Sequence, residues 1–218
     1  MTSNNAIVPF SPFHASHMQS KRTFHFGSKS IVIEQQWKPD GKGGTNLGFG
    51  AHVYDAALVY NKKIVELGCG TGLVSIAAAS FGASHIVATD GDPQSVALTQ
   101  SNIDANTANF TSTIEAKTYL GQDLNGIKHC DLLLGADIIA CPYEQAYDDL
   151  LASLRHFIQT PTAMALIAYK PRHGSEVKFF HKLKKYFDYD VIPDNEYHAD
   201  FRYLQIQLLR IVCKSNSL

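Results

Sequence analysis

From Lys62 to Asp92 the chain reads as strand, glycine turn, helix, strand and acidic end. The run is Lys62-Lys63-Ile64-Val65-Glu66-Leu67-Gly68-Cys69-Gly70-Thr71-Gly72-Leu73-Val74-Ser75-Ile76-Ala77, and then Ile86-Val87-Ala88-Thr89-Asp90-Gly91-Asp92. Apolar Ile64, Val65 and Leu67 meet three glycines at alternate positions, and the helix formers Leu73, Ile76, Ala77, Ala78 and Ala79 follow. Glycine serves where the backbone needs a positive φ, or where a ligand must come closer than a Cβ allows. The second strand ends on the Asp90 carboxylate, which is suited to accept hydrogen bonds from the two hydroxyls of a ribose. Adjacent parallel strands bring both features to one carboxyl edge, where open α/β sheets bind ligands.

Spacing narrows the nucleotide. The dinucleotide fingerprint G-x-G-x-x-G would need its third glycine at position 73, which is Leu73. The third glycine here is Gly72, giving E-x-G-x-G-x-G from Glu66, and no G-K-[ST] follows to make a phosphate loop. This pattern resembles motif I of the class I, seven-strand methyltransferases, whose cofactor is S-adenosylmethionine (SAM). SAM carries a ribose and an adenine but no phosphate, so close backbone approach and an acid matter more than an anion site. The resemblance implies that Gly68, Cys69 and Gly70 pass under the methionine part and ribose, with Gly72 closing the turn. Asp90 would hold the ribose hydroxyls, and Glu66 would brace the turn or reach the ligand through water. The competing readings are a non-binding α/β turn, and for Asp90 a cap on the Asp92-Pro93 segment.

The chain has 218 residues, enough for one α/β domain with an N-terminal extension. Hydrophobic residues make up 45%, so a packed core is expected. A net charge of −1 argues against a dedicated nucleic-acid binder, which needs excess positive charge. Cys69, Cys130, Cys141 and Cys213 form no C-x-x-C pair. They read as reduced thiols in a cytoplasmic protein that also reaches the nucleus. No apolar run approaches the roughly 20 residues of a membrane span, so no membrane partner is expected. The ten histidines show no H-x-x-x-H or paired Cys/His spacing, so no metal site is expected.

Residues 1–21 read as a flexible tail and residues 22–61 as a β-hairpin, a glycine loop at 41–50 and a lead-in helix at 51–60. Residues 62–218 form the main domain. Strands are placed near 63–68, 85–90, 112–118, 131–136, 162–169, 189–193 and 202–212, with helices near 72–81, 93–106, 143–158 and 174–187. Asp92-Pro93 has the form of an N-cap followed by proline at the first helical position. The alternation implies a Rossmann-like, mostly parallel seven-strand sheet with helices on both faces. The last connection is too short for a helical crossover, so the final strand should run antiparallel.

The third strand leads into Leu120-Gly121-Gln122-Asp123, where Leu120 could pack on an adenine ring and Asp123 accept from its amine. The fourth ends Gly135-Ala136-Asp137-Ile138-Ile139-Ala140-Cys141-Pro142-Tyr143, ahead of a helix around Tyr147–Leu154. This run resembles the family 16 protein-lysine methyltransferases, which carry a D-x-x-Y motif at this strand end. The hairpin and Val53-Tyr54-Asp55-Ala56-Ala57 resemble that family too, with Tyr54 where it usually has a tryptophan close to SAM. The resemblance implies Ala136 as a cofactor contact and Asp137 beside the nucleophile. It departs at Ala140, which occupies the motif's tyrosine position. Tyr143 could supply a tyrosine from the next turn, or the site could work without one, take another nucleophile, or have lost activity. The expected function is methyl transfer from SAM to a protein side chain, a lysine ε-amine first, by a monomer. Another acceptor (protein histidine or arginine, a small molecule, nucleic acid) and a silent SAM-binding module are the alternatives.

After the fifth strand, Tyr169-Lys170-Pro171-Arg172-His173-Gly174 lies on the same edge and would form part of the substrate rim. Lys178, Lys182, Lys184 and Lys185 make the next helix basic, either as a solvated face or as a dock for an acidic partner.

Overall fold

The computed structural model describes residues 20–26, 29–35, 59–121, 126–127, 129–139, 144–171, 174, 176–193, 195 and 205–214. The tail, the glycine loop, most of the lead-in helix, Tyr54, Asp123, Ala140 and Tyr143 lie outside the described residues.

In chain order the elements are β1 (Lys21–Phe26), β2 (Lys29–Glu34), β3 (Lys63–Leu67), α1 (Leu73–Ser80), β4 (His85–Asp90), α2 (Pro93–Ala105), β5 (Thr113–Thr118), β6 (Leu132–Ala136), α3 (Glu144–Phe157), β7 (Met164–Tyr169), α4 (Glu176–Leu183), β8 (Phe187–Val191) and β9 (Gln207–Cys213). Seven strands make one sheet in the order β5-β4-β3-β6-β7-β9-β8. From β5 to β7 neighbouring strands are parallel, whereas β9 inserts between β7 and β8 and is antiparallel to both. The direction of winding reverses between β3 and β6, so a crevice opens at their carboxyl ends.

The helix expected over 174–187 is shorter, ending at Leu183. Lys184, Lys185 and Tyr186 close the turn, with the Tyr186 N–H donating to the Leu183 carbonyl at 3.0 Å. Phe187 then buries its ring in the sheet and starts β8 two residues earlier than expected. The phenylalanine belongs to the strand because the alternation of Phe187 and Tyr189 faces the α3/α4 layer.

Helices cover both faces. Leu150, Leu151, Leu154 and Phe157 of α3 join Phe179 and Leu183 of α4 on one side. Val74, Ala78 and Ala79 of α1 pack on the other. All eight residues of α1 are buried, since a second layer covers its outer face. That layer is the hairpin: β1 and β2 pair antiparallel, and Ile31 and Ile33 of β2 pack against Leu73, Ile76, Ala77 and Ile103. Each isoleucine buried this way contributes about 1.5–3 kcal/mol. The composition of α1, apolar nearly all round, follows from being sandwiched. No helix of the described residues is long and apolar enough to cross a membrane.

Candidate functional site

The three glycines of the turn all adopt left-handed backbone, at φ +67° for Gly68, +54° for Gly70 and +78° for Gly72. The Cys69 N–H donates to the Thr89 carbonyl at 2.8 Å, which stitches the turn to β4. Thr99 of α2 holds it from the other side, its hydroxyl donating to the Gly70 carbonyl at 3.0 Å. A Cβ on Gly72 would sit 2.8 Å from the Thr99 methyl. Gly72 thus serves close packing at the start of α1, while Gly68 and Gly70 shape the turn at the crevice.

Asp90 ends β4 beside this turn. Its Oδ2 accepts from the Gly70 N–H at 2.9 Å and its Oδ1 from the Asp92 N–H at 3.0 Å. A carboxylate offers about four lone-pair sites, so each oxygen keeps capacity for a ribose hydroxyl. Asp92, not Asp90, caps α2, accepting from the N–H groups of Gln94 and Ser95. Leu120 lies next to Gly91 and is 69% exposed, an apolar plate at the same edge. Its backbone is fixed by Tyr119, whose N–H donates to the Asp90 carbonyl at 2.9 Å and whose hydroxyl meets the Ser153 hydroxyl at 2.8 Å. An open glycine turn, a half-exposed carboxylate with spare acceptors and an apolar plate fit the ribose and adenine of SAM.

Two side chains of the turn face inward. Glu66 is buried, and its Oε2 accepts from the Ser75 N–H at 3.0 Å and the Ser75 hydroxyl at 2.5 Å. It therefore caps the first turn of α1 from the preceding strand. Burial pushes its carboxyl up to about 8, against the pull of the two Ser75 bonds and with a smaller push from Asp90. Cys69 is also buried, its thiol against the Thr99 hydroxyl at 3.3 Å. Burial holds that thiol well above its ordinary range. Only the Cys69 backbone remains for a ligand.

The second half of the crevice is the end of β6. Leu67 of β3 pairs with Gly135 of β6, so Gly68 and Asp137 leave neighbouring strands one and two residues further on. Ala136, the last residue of β6, pairs with Ala168 of β7. Asp137 has φ +62°, rare for a residue with a side chain, and its N–H donates to the Ala168 carbonyl at 2.7 Å. Ile138 then folds back: its Cγ2 lies 2.8 Å from where a Cβ of Gly68 would be, and its Cδ1 occupies the place of a Cβ on Gly135. Tyr147 is buried against Phe179 at 5.6 Å between ring centroids.

Sequence reasoning passed over Thr99, Asn102 and Asn106. Thr99 and Asn102 share the buried face of α2 with Ile103, Asn106 continues it at the C-cap, and the recurrence of these residues at helical spacing was the available signal.

The family profile described as lysine methyltransferase matches residues 42–186. The protein N-lysine methyltransferase METTL21A of Mus musculus is 31% identical over 221 residues, covering 88% of this chain and 94% of that protein. The EEF1A lysine methyltransferase 3 of Mus musculus is 32% identical over 199 residues, covering 84% of this chain and 81% of the other. Among solved structures, the ribosomal protein L11 methylase from Lactobacillus delbrueckii subsp. bulgaricus is similar in fold, with a TM-score of 0.55 and 18% identity. That match covers 90% of this chain and 100% of the other.

Proposed function

The chain belongs to the lysine methyltransferase family, with SAM as cofactor and a protein lysine as acceptor, and from that premise we propose how its own residues carry the reaction. Asp137 receives the acceptor lysine at the end of β6, and the backbone of Gly68 and Gly70 with the Asp90 carboxylate hold SAM beside it. The observation that carries this is the strand register. Leu67 and Gly135 are paired, so the cofactor turn and the acceptor carboxylate emerge side by side at the reversal of winding.

Bound SAM supplies an activated methyl on a sulfonium. The protein's task is then alignment of an in-line attack and removal of one proton from the lysine. The free ammonium has a pKa of about 10.4, so exposing its lone pair near neutrality costs roughly 4–5 kcal/mol. An apolar surround lowers that cost by desolvating the ammonium. The Asp137 carboxylate orients the amine through a charge-assisted hydrogen bond and hands its proton toward solvent. Leu120 takes the adenine face, and Ala136 leaves room at the strand end. Tyr54, Asp123 and Tyr143 complete the cofactor and acceptor sides of this reading, and Tyr143 supplies the hydroxyl that Ala140 lacks. Both halves of the site lie in one chain, in keeping with a monomeric enzyme.

The test is transfer of radiolabelled methyl from SAM into a lysate of the source organism, resolved by size, with Asp90→Ala as control. A discrete labelled protein that disappears with the control, and whose label maps to a lysine, is the expected result. Label on another residue type overturns the lysine acceptor, and label unaffected by the control overturns the cofactor assignment.

A further inference from the structure

The contact between Ile138 and two glycines goes beyond the assignment of Asp137. Gly135 has no positive φ, so nothing in its own backbone requires glycine. What requires it is Ile138, whose Cδ1 fills the place of its Cβ and whose Cγ1 lies 3.1 Å from it. The same side chain meets Gly68, the first glycine of the cofactor turn, through Cγ2 at 2.8 Å from the Cβ position. The two absent side chains form one notch, floored by β6 and walled by Ile167 and the end of β3. The left-handed backbone of Asp137 is what turns the chain back so that its next residue can enter this notch.

We infer that Ile138 is a positioning residue, a wedge seated between Gly68 and Gly135 that fixes the turn at Asp137 relative to the cofactor turn. This rests on the reading of Asp137 as the acceptor group. A branched Cβ suits the role, because its two arms reach the two glycines separately and its χ1 is stiff. The wedge links both halves of the crevice through one side chain that touches neither reactant.

The experiment is a double-mutant cycle on the full chain with Gly135→Ala, Ile138→Val and the pair, together with Ile138→Ala. SAM affinity is read by calorimetry, and methyl transfer by single turnover at saturating SAM, well below each variant's unfolding temperature. Gly135→Ala pushes Ile138 out of the notch and should weaken SAM binding and slow transfer by about tenfold each. Valine lacks Cδ1, so adding Ile138→Val should bring both to within about threefold of Ile138→Val alone, a strongly non-additive result. Ile138→Ala should slow transfer at saturating SAM by about tenfold or more. Effects that simply multiply, or an Ile138→Ala rate within about twofold of wild type, overturn the wedge. Coupling in SAM affinity, with no methyl transfer by the wild type, upholds the notch and overturns the acceptor reading of Asp137 instead.

Discussion

Asn102 pairs with the backbone of Glu34 as if it were a residue of a neighbouring strand. Its Oδ1 accepts from the Glu34 N–H at 2.8 Å and its Nδ2 donates to the Glu34 carbonyl at 3.1 Å. Four residues on, at the C-cap of α2, Asn106 does the same with Val32, at 3.1 Å from its N–H and 2.7 Å from its carbonyl. The match is geometric: four helical residues rise about 6 Å and two strand residues about 6.6–6.8 Å. The Asn102 amide also donates to the Thr71 carbonyl at 3.0 Å, inside the glycine turn. The hairpin is thereby tied to the turn through one side chain. Asn102→Ala leaves the Glu34 N–H and two carbonyls without that partner and should cost on the order of 2–4 kcal/mol in chemical denaturation. A loss below about 0.5 kcal/mol would show that the hairpin is held by Ile31 and Ile33 alone.

Glu66 should make the fold pH-sensitive in a direction opposite to most paired carboxylates. Burial raises its folded value to about 8 from an ordinary 4.5. The folded state therefore binds the proton more tightly than the unfolded state. Its contribution is fully present below about 4.5 and is lost as pH rises through about 8. Glu66→Gln keeps an oxygen for Ser75 without a titratable charge. The variant should lose this decline, so that its stability relative to wild type grows from pH 5 to pH 8 in paired urea titrations. Parallel curves across that window would place the unfolded and folded values of Glu66 together.

In the proposed reading, Asp90 joins the ribose to the turn that shapes its site. Asp90→Ala removes the acceptor for the Gly70 N–H as well as the ligand's own partner. Hydrogen bonds to a charged group are worth about 1.5–3 kcal/mol each, so SAM affinity should fall between about tenfold and several hundredfold. Calorimetry with SAM measures this directly. An affinity within about threefold of wild type would leave Asp90 as a brace for Gly70 and Asp92 only.

Much of the geometry at this edge of the sheet was legible because it is written in local spacing. Gly68, Gly70 and Asp90 fall at the ends of two adjacent strands, which short apolar runs beside the glycines and the acidic end located. The capping role of Asp92 was equally local. What could not be read depends on pairs distant in sequence. The inward turn of Cys69 depends on Thr99, and the docking of β2 on Asn102 and Asn106 spans about seventy residues. The insertion of β9 between β7 and β8 is likewise a choice among edges that strand composition leaves open. The packing of Ile138 was not legible, because Gly135, the glycine it packs on, has ordinary strand backbone.

At Asp137 the backbone and the carboxylate can be separated by experiment. The residue is left-handed, at φ +62°. Asparagine tolerates that region nearly as well as aspartate, whereas alanine pays about 1–2 kcal/mol there. Asp137→Asn should therefore unfold within about 0.5 kcal/mol of wild type, and Asp137→Ala should be less stable by about 1 kcal/mol or more. Both should retain SAM affinity, since the carboxylate faces the acceptor in this reading, and both should lose on the order of a hundredfold in kcat. The pH profile then distinguishes orientation from a purely structural role. A carboxylate beside the acceptor favours its ammonium form and so raises the lysine pKa in the complex. Removing the charge should shift the rising limb of kcat to lower pH even as its plateau falls. A profile with an unmoved midpoint would detach Asp137 from the acceptor and leave it as the hinge of the Ile138 turn.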